Sequence, residues 1–486
     1  MRRGVIGIGV VLAAALATPA DDARKVEQAL QAVIARAEPA VACLLVYRPD
    51  HRGTGDAGRR PFDDDRQAVP DFYASGVVLD PQGLILTNYH VVREAAGPRR
   101  ELDKVLIDVR LPGRKDAEGG DGPPRVGRAT VHAADVKSDL AVLKLDPGRG
   151  WEGRLPVVPL GRGEELKKGS LVVSLGHPYA AGYRDGSPSA SWGIVSNLRR
   201  RGPGSPTESE RAKLPLANFA TLIQTDVRLQ LGTSGGALLD ADGRLVGLTT
   251  AQAALTGVDA PGGFAIPMDA PVRRIVEVLL RGEEVEYAFL GISTRQGSDP
   301  EPGGGVMVQA VIPNSPAARA GLMPMDVITR INGRPIRDYD DLFLNLSTTL
   351  AGRPAELVVR SGRAGGLRTV DVPLVKAPVE IDSVRHRRRD EWGVAKTLPR
   401  SWYGLRVEYT SAKDATFIRP GVLVRDAADQ AKAAGLVPYE DIITHVNDRP
   451  VNSPAEFRTA ADEAVKRGDS LKLTVAGDTS RTVTLP

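Results

Sequence analysis

The chain has 486 residues, 42% of them hydrophobic and 26% charged, enough apolar material for about three packed domains. Lys and Arg number 64 against 60 Asp and Glu, a surplus too small for the dense basic footprint of a nucleic-acid binder. The single cysteine, Cys43, excludes an intrachain disulfide and any multi-cysteine metal or iron–sulfur centre, and 52 Gly with 36 Pro favour short strands and turns over long helices.

Met1-Arg2-Arg3 is followed by the uncharged run 4–17, too short to span a bilayer comfortably. Small residues at Ala17 and Ala20 complete the layout of an export signal over residues 1–20, cleaved after one of those alanines, with an uncleaved anchor as the alternative. Export predicts a periplasmic or otherwise extracytoplasmic protein with no stable membrane span after cleavage. Val26, Ala29, Leu30, Val33 and Ile34 recur at helical period and predict a helix over 23–37. From Ala40 to about Leu279, short runs rich in Val, Leu, Ile and Thr alternate with turns. Cys43 lies in one such run, 40–46, and reads as a buried, inert thiol. Asp80-Pro81-Gln82-Gly83 and Asp240-Ala241-Asp242-Gly243 each read as the turn of a hairpin. Polar stretches at 49–70, 113–124 and 199–213 predict surface loops. Many short strands between turn signals argue for antiparallel sheets closed into barrels or sandwiches.

The last 200 residues repeat. Ala317-Ala318-Arg319-Ala320-Gly321-Leu322-Met323-Pro324 recurs as Ala431-Lys432-Ala433-Ala434-Gly435-Leu436-Val437-Pro438, and Asp326-Val327-Ile328-Thr329 recurs as Asp441-Ile442-Ile443-Thr444. Phe289-Leu290-Gly291-Ile292 is matched by Trp402-Tyr403-Gly404-Leu405 at nearly the same offset. Two copies of one module fit, at 286–378 and 401–486. They are joined by a linker over 379–400 whose basic run Arg385-His386-Arg387-Arg388-Arg389 reads as a solvated feature.

Gly232-Thr233-Ser234-Gly235-Gly236 carries the strongest chemistry. Flanking glycines let the backbone turn sharply and leave amide hydrogens free to face a developing oxyanion. The same five residues satisfy the nucleophile-elbow pattern of α/β-hydrolases, but an elbow needs a helix after its serine, and here a Leu-rich strand follows. Upstream, His90 ends the strand-like run 84–92, and Asp139 opens the apolar run 140–143. The order His90, Asp139, Ser234 across a β-rich region is that of a chymotrypsin-like double β-barrel. The fold class expected is therefore mainly β, a chymotrypsin-like double β-barrel over 21–283 followed by the two repeated modules.

The segment 74–92, ending Thr87-Asn88-Tyr89-His90-Val91-Val92, resembles the histidine motif of the HtrA/Deg family of trypsin-like serine proteases. Ser138-Asp139-Leu140-Ala141-Val142-Leu143 resembles its aspartate motif, and Gln224-Thr225-Asp226 leading to Ser234 its serine motif. The repeats resemble PDZ domains, which implies a protease domain followed by two PDZ-like α+β domains. The resemblance implies an ATP-independent serine endopeptidase acting on misfolded or unfolded proteins, without a cofactor or metal. It implies a catalytic triad of His90, Asp139 and Ser234 and an oxyanion hole of the Gly232 and Ser234 amides. Substrate-binding residues would be Leu229, Leu231, Thr233, Gly263 and Phe264. Loops at Leu290, Gly291, Ile292 and at Tyr403, Gly404, Leu405 would take peptide C-terminal carboxylates. It further implies a homo-oligomer, a trimer or a multiple of one, in which the mixed-charge loop 59–66 could form a contact between subunits.

Departures from the family pattern are the Gln230-Leu231-Gly232-Thr233 stretch before the serine, His177 in a Gly-His-Pro turn, and Asp448 where the first module has Gly333. Leu229 and Leu231 suggest an apolar pocket, with Arg228 facing solvent. His177 reads as a loop residue and not a second base, and Asp448 predicts weaker peptide binding in the second module. One other reading stays open, a catalytically impaired protease fold that holds unfolded chains through its PDZ modules; an α/β-hydrolase esterase fails on the residue order and on the missing helix.

Overall fold

The computed structural model describes residues 19–47, 70–95, 105–114, 122–146, 151, 154–200, 222–250, 263–294, 301, 303–347, 349–362, 365–377, 403–412, 417–477 and 480–485. The export signal and the predicted loops at 49–70, 113–124 and 199–213 lie largely outside these residues. The loop 59–66 and the basic run 385–389 lie wholly outside them.

Helix α1 (Pro19–Ala37) begins four residues before the predicted start. Its period puts Val33 and Ala37 into the core with Leu30 and Ile34 beside them, and leaves Val26 exposed. Arg36 Nη1 donates to the Asp242 carbonyl at 2.9 Å, tying α1 to the second predicted turn.

Six strands, β1 (Val41–Tyr47), β2 (Phe72–Asp80), β3 (Leu84–Asn88), β4 (Leu106–Leu111), β5 (Arg125–Asp135) and β6 (Leu140–Asp146), close into one barrel in the order β1-β2-β3-β6-β5-β4. A second barrel is built the same way from β7 (Leu171–Gly176), β8 (Ser189–Arg200), β9 (Leu222–Thr225), β10 (Ala237–Leu239), β11 (Leu245–Thr250) and β12 (Gly263–Pro267). Closure removes the unpaired edges that short strands would otherwise expose. Both predicted hairpin turns are present and each is held by its first aspartate. Asp80 Oδ1 accepts the Gln82 N–H at 2.6 Å, and Asp240 Oδ1 accepts the N–H groups of Asp242 and Arg244, both at 2.9 Å. Cys43 is fully buried in β1, and burial pushes its thiol up to about 12, so it stays protonated and inert. Helix α2 (Tyr89–Ala95) follows β3. Helix α3 (Ala270–Leu280), capped by Asp269 accepting the Val272 N–H at 3.1 Å, buries Val272, Ile275, Val276 and Leu279.

The repeat becomes two sheets of one topology. The first orders Ile292–Thr294, Val306–Val311, Val327–Ile331, Pro354–Arg360 and Leu367–Pro373; the second orders Leu405–Tyr409, Val422–Ala427, Ile442–Val446, Leu471–Ala476 and Arg481–Leu485. Each has a longer helix, Tyr339–Ser347 and Pro454–Lys466, and its own core. Asp448 takes the left-handed conformation of its counterpart Gly333 (φ +65° and +75°), so the turn is kept at a conformational cost that glycine avoids.

A buried ion cluster joins the modules. Lys376 Nζ reaches Glu408 at 2.7 Å, Glu284 at 3.2 Å and Glu286 at 3.6 Å. Arg425 pairs with Glu284 and, at 3.2 Å, with Glu408, while Arg406 reaches Glu284 at 3.2 Å. Burial opposes charge in Glu284 and Lys376; the surrounding cations nevertheless hold the Glu284 carboxyl down to about 2, and the carboxylates raise Lys376 above its ordinary range. Glu286 is pushed upward instead, because burial outweighs the pull of Lys376 and Arg425. Removing one member of such a cluster would leave an uncompensated buried charge, which is strongly destabilising.

Candidate active site

Each candidate residue sits where a strand ends. His90 follows β3 as the second residue of α2, Asp139 lies between β5 and β6, and Ser234 lies between β9 and β10. The first two thus lie on the first barrel and the third on the second.

His90 and Asp139 are buried and joined twice. The His90 N–H donates to Asp139 Oδ1 at 2.8 Å, and His90 Nδ1 lies 2.8 Å from Asp139 Oδ2. A carboxylate at Nδ1 keeps that nitrogen protonated and leaves Nε2 with its lone pair. Asp139 has φ +54°, a left-handed conformation that costs a non-glycine residue on the order of 1–2 kcal/mol. Its carbonyl accepts the Tyr89 N–H at 2.9 Å and the Asn88 side-chain amide at 3.2 Å, so the strand carrying His90 holds it there.

Ser234 is buried on the wall facing the first barrel, its carbonyl accepting the Ser75 N–H at 2.8 Å. Gly235, at φ +82°, lies so close that a Cβ there would sit 2.2 Å from the Ser75 carbonyl oxygen and 2.3 Å from Thr87 Oγ1. Thr87 is three residues before His90, and its hydroxyl donates to the Ser75 carbonyl at 2.8 Å. Through Ser75 and Thr87 the serine loop is registered against the histidine strand. Neither residue was singled out in the sequence, although both lie inside the histidine motif.

The preceding loop is pinned as firmly. The Leu231 carbonyl accepts the Tyr179 N–H at 2.7 Å; since carbonyl and amide of a trans peptide point in opposite directions, the Gly232 N–H is turned away from Tyr179. Ser75 Oγ bridges the His177 N–H (2.8 Å) and the Gly232 carbonyl (2.7 Å). Thr233 directs its hydroxyl back to the Gln230 carbonyl at 2.7 Å and so shapes the loop. Leu229 is half-buried over Gly263, Leu231 is exposed at the rim, Phe264 is half-buried on β12 and Arg228 is exposed.

His177 is fully buried. Its Nε2 lies 3.4 Å from the Val41 carbonyl, its Nδ1 has no hydrogen-bond partner among the described residues, and Gly182 lies against the ring. Burial pushes its pKa from 6.5 down to about 4. Between those values the unfolded chain binds a proton that the native ring refuses, so stability falls as pH drops from 6.5 and the loss levels off below about 4. The term is about 3 kcal/mol. Urea unfolding of wild type and His177→Asn across this range should show wild type losing that much more; parallel pH curves would mean that His177 titrates normally.

In the first PDZ-like module, the Leu290 carbonyl accepts the Ala317 N–H and the Gly291 carbonyl accepts the Ile312 N–H, both at 2.9 Å. Ile292 opens the edge strand of its sheet. In the second module Leu405 does the same, with Tyr403 and Gly404 in left-handed conformations before it.

Two closed six-stranded barrels, a buried histidine–aspartate pair on one, a glycine-framed serine on the other and appended PDZ-like modules define a trypsin-like serine protease. Residues 74–248 match the trypsin-like peptidase domain family and residues 288–374 the PDZ domain family. The chain is 30% identical over 412 residues to a probable periplasmic serine endoprotease DegP-like of Ectopseudomonas mendocina (strain ymp), covering 82% of this chain and 77% of that one. It is 33% identical over 310 residues to human serine protease HTRA3, covering 60% of each. Among solved structures, the HtrA-type protease AlgW with decapeptide is 28% identical at a TM-score of 0.47, covering 71% of this chain and 98% of that one. The chain belongs to the HtrA/DegP family of serine endoproteases.

Proposed function

We propose that His90, Asp139 and Ser234 form the catalytic triad of an endopeptidase that acts outside the cytoplasm on unfolded proteins. The observation that carries this reading is the doubly bonded His90–Asp139 pair, which keeps Nε2 free to accept a proton. Ser234 Oγ attacks the scissile carbonyl carbon as His90 Nε2 takes its proton. The tetrahedral oxyanion is met by the Gly232 and Ser234 amides. His90 returns the proton to the leaving amine, and water, deprotonated by the same nitrogen, releases the acyl group from Ser234. Asp139 holds the imidazole in its tautomer and stabilises the imidazolium.

Leu229, Leu231, Gly263 and Phe264 line an apolar subsite for a small aliphatic side chain. Extended peptides add a strand beside Ile292–Thr294 or Leu405–Tyr409, with the C-terminal carboxylate at the loops 290–292 and 403–405. Because the sequence contains no G-x-x-x-x-G-K-[ST] loop for ATP, substrates must arrive already unfolded. Relatives described as periplasmic and the uncharged run 4–17 support export, and the family resemblance supports a trimeric assembly.

The experiment is intact-mass labelling with a fluorophosphonate, wild type beside Ser234→Ala, with cleavage of an unfolded protein assayed in parallel. One label on wild type alone, with cleavage lost in the variant, is expected. No label and no cleavage by either, even with a C-terminal peptide added, would favour a protein that holds unfolded chains without cutting them.

A further inference from the structure

The turn that precedes Asp139 has a partner from far along the chain. Asp135 closes β5 with its side chain buried, and its Oδ2 accepts three hydrogen bonds. Two come from Ser138, its N–H at 2.8 Å and its hydroxyl at 2.5 Å. The third comes from the Tyr287 hydroxyl at 2.5 Å, 152 positions later. The Lys137 ammonium lies 4.0 Å from the centroid of the Tyr287 ring.

Tyr287 belongs to two domains at once. Its side chain is 7% exposed and packs in the core of the protease barrels. Its main chain is held by the first PDZ module. The Tyr287 carbonyl accepts the Ala377 N–H at 2.7 Å, Tyr287 bridges to Leu350, and Ala288 donates to the Thr349 carbonyl at 2.8 Å before pairing with Lys376.

We propose that Tyr287 is a positioning residue for the triad, its hydroxyl fixing from the first PDZ module the turn that presents Asp139 to His90. The strained backbone of Asp139 is sustained only if its surroundings over-determine it. On the C-terminal side of β3 that support comes from Asn88, Tyr89 and His90. On the other side the Asp139 N–H makes a long 3.4 Å contact with the Val136 carbonyl, and the firm contacts are those of neighbouring Ser138 with Asp135. Tyr287 is the one donor to Asp135 among these that does not belong to the turn itself, so it anchors the turn to something that does not move with it. The inference rests on the triad reading above.

Tyr287→Phe keeps the ring, its packing and its contact with Lys137, and removes only the hydroxyl. Its kcat on a short chromogenic peptide should fall about tenfold, with KM held within about twofold, because the interaction lost serves the transition state and not binding. Fluorophosphonate labelling of Ser234 should slow by the same factor. Asp135→Asn should act in the same direction, and the double variant should be no slower than the slower single variant, as expected of one linkage cut at either end. Unchanged kcat in Tyr287→Phe would overturn the proposal, and so would a lowered thermal midpoint with kcat intact, since that is a structural role alone. If Asp135→Asn does not fold, Tyr287→Phe decides by itself. Ser234→Ala separates the two readings. Cleavage surviving in it removes the triad reading and this inference together, whereas an inactive Ser234→Ala beside a fully active Tyr287→Phe removes only the inference.

Discussion

Asp139→Asn is expected to lower kcat by about four orders of magnitude while leaving KM close to wild type. The substitution is nearly isosteric, and one side-chain oxygen can still accept the His90 N–H, now made at 2.8 Å. The other position becomes an amide that donates to His90 Nδ1. That nitrogen must then accept, which moves the ring proton to Nε2, where it can no longer take the proton of Ser234. The protein folds and binds but holds the wrong tautomer. Steady-state kinetics on a peptide substrate check this, with Ser234→Ala as the baseline; a loss smaller than about tenfold would remove Asp139 from the triad.

Gly232→Ala is expected to cost about 100- to 1,000-fold in kcat, the range for losing one oxyanion donor. Gly232 has φ +95°, and a Cβ there would lie 2.3 Å from the His177 carbonyl oxygen and 2.9 Å from the Tyr179 nitrogen. Both are backbone atoms that cannot swing aside as a side chain would. The loop 230–234 must shift, carrying the Gly232 N–H out of line and straining the Tyr179 and Ser75 hydrogen bonds that hold it. Thermal melting measured beside kcat separates this effect from global unfolding. A variant with full activity would mean that the Gly232 amide takes no part in stabilising the oxyanion.

Much of the architecture is legible in the chain because it is local. Both hairpin turns are written in Asp-Pro-Gln-Gly and Asp-Ala-Asp-Gly, since an aspartate that bonds the backbone two residues on makes its own turn. The helix over 23–37 and the paired modules are likewise set by periodicity and self-similarity, which need no knowledge of distant residues. His90, Asp139 and Ser234 could be singled out because few histidines occur and glycines frame only one such serine.

What lies beyond that reading depends on closure of the barrels. The order His, Asp, Ser does not say that Asp139 adopts a left-handed backbone or that both its oxygens face His90; those follow once β3 and β6 pair and Asn88 stands opposite Leu140. Nothing around Gly176-His177-Pro178 signals a fully buried imidazole, because one face of its surroundings is Val41 on the other barrel and another is Gly182 folding back on the ring. Ser75 is an ordinary strand residue until the serine loop arrives 157 positions later to use its hydroxyl.

The sequence by itself determined the class of fold, the order of the domains and the family, since turn chemistry, hydrophobic period and motif spacing are properties of neighbouring residues. Only the tertiary structure decided the tautomer-fixing geometry of His90, the burial of His177 and the reach of Tyr287 from one domain into another. Those contacts join residues between 49 and 152 positions apart, and they exist only where closing the sheets brings the chain back on itself.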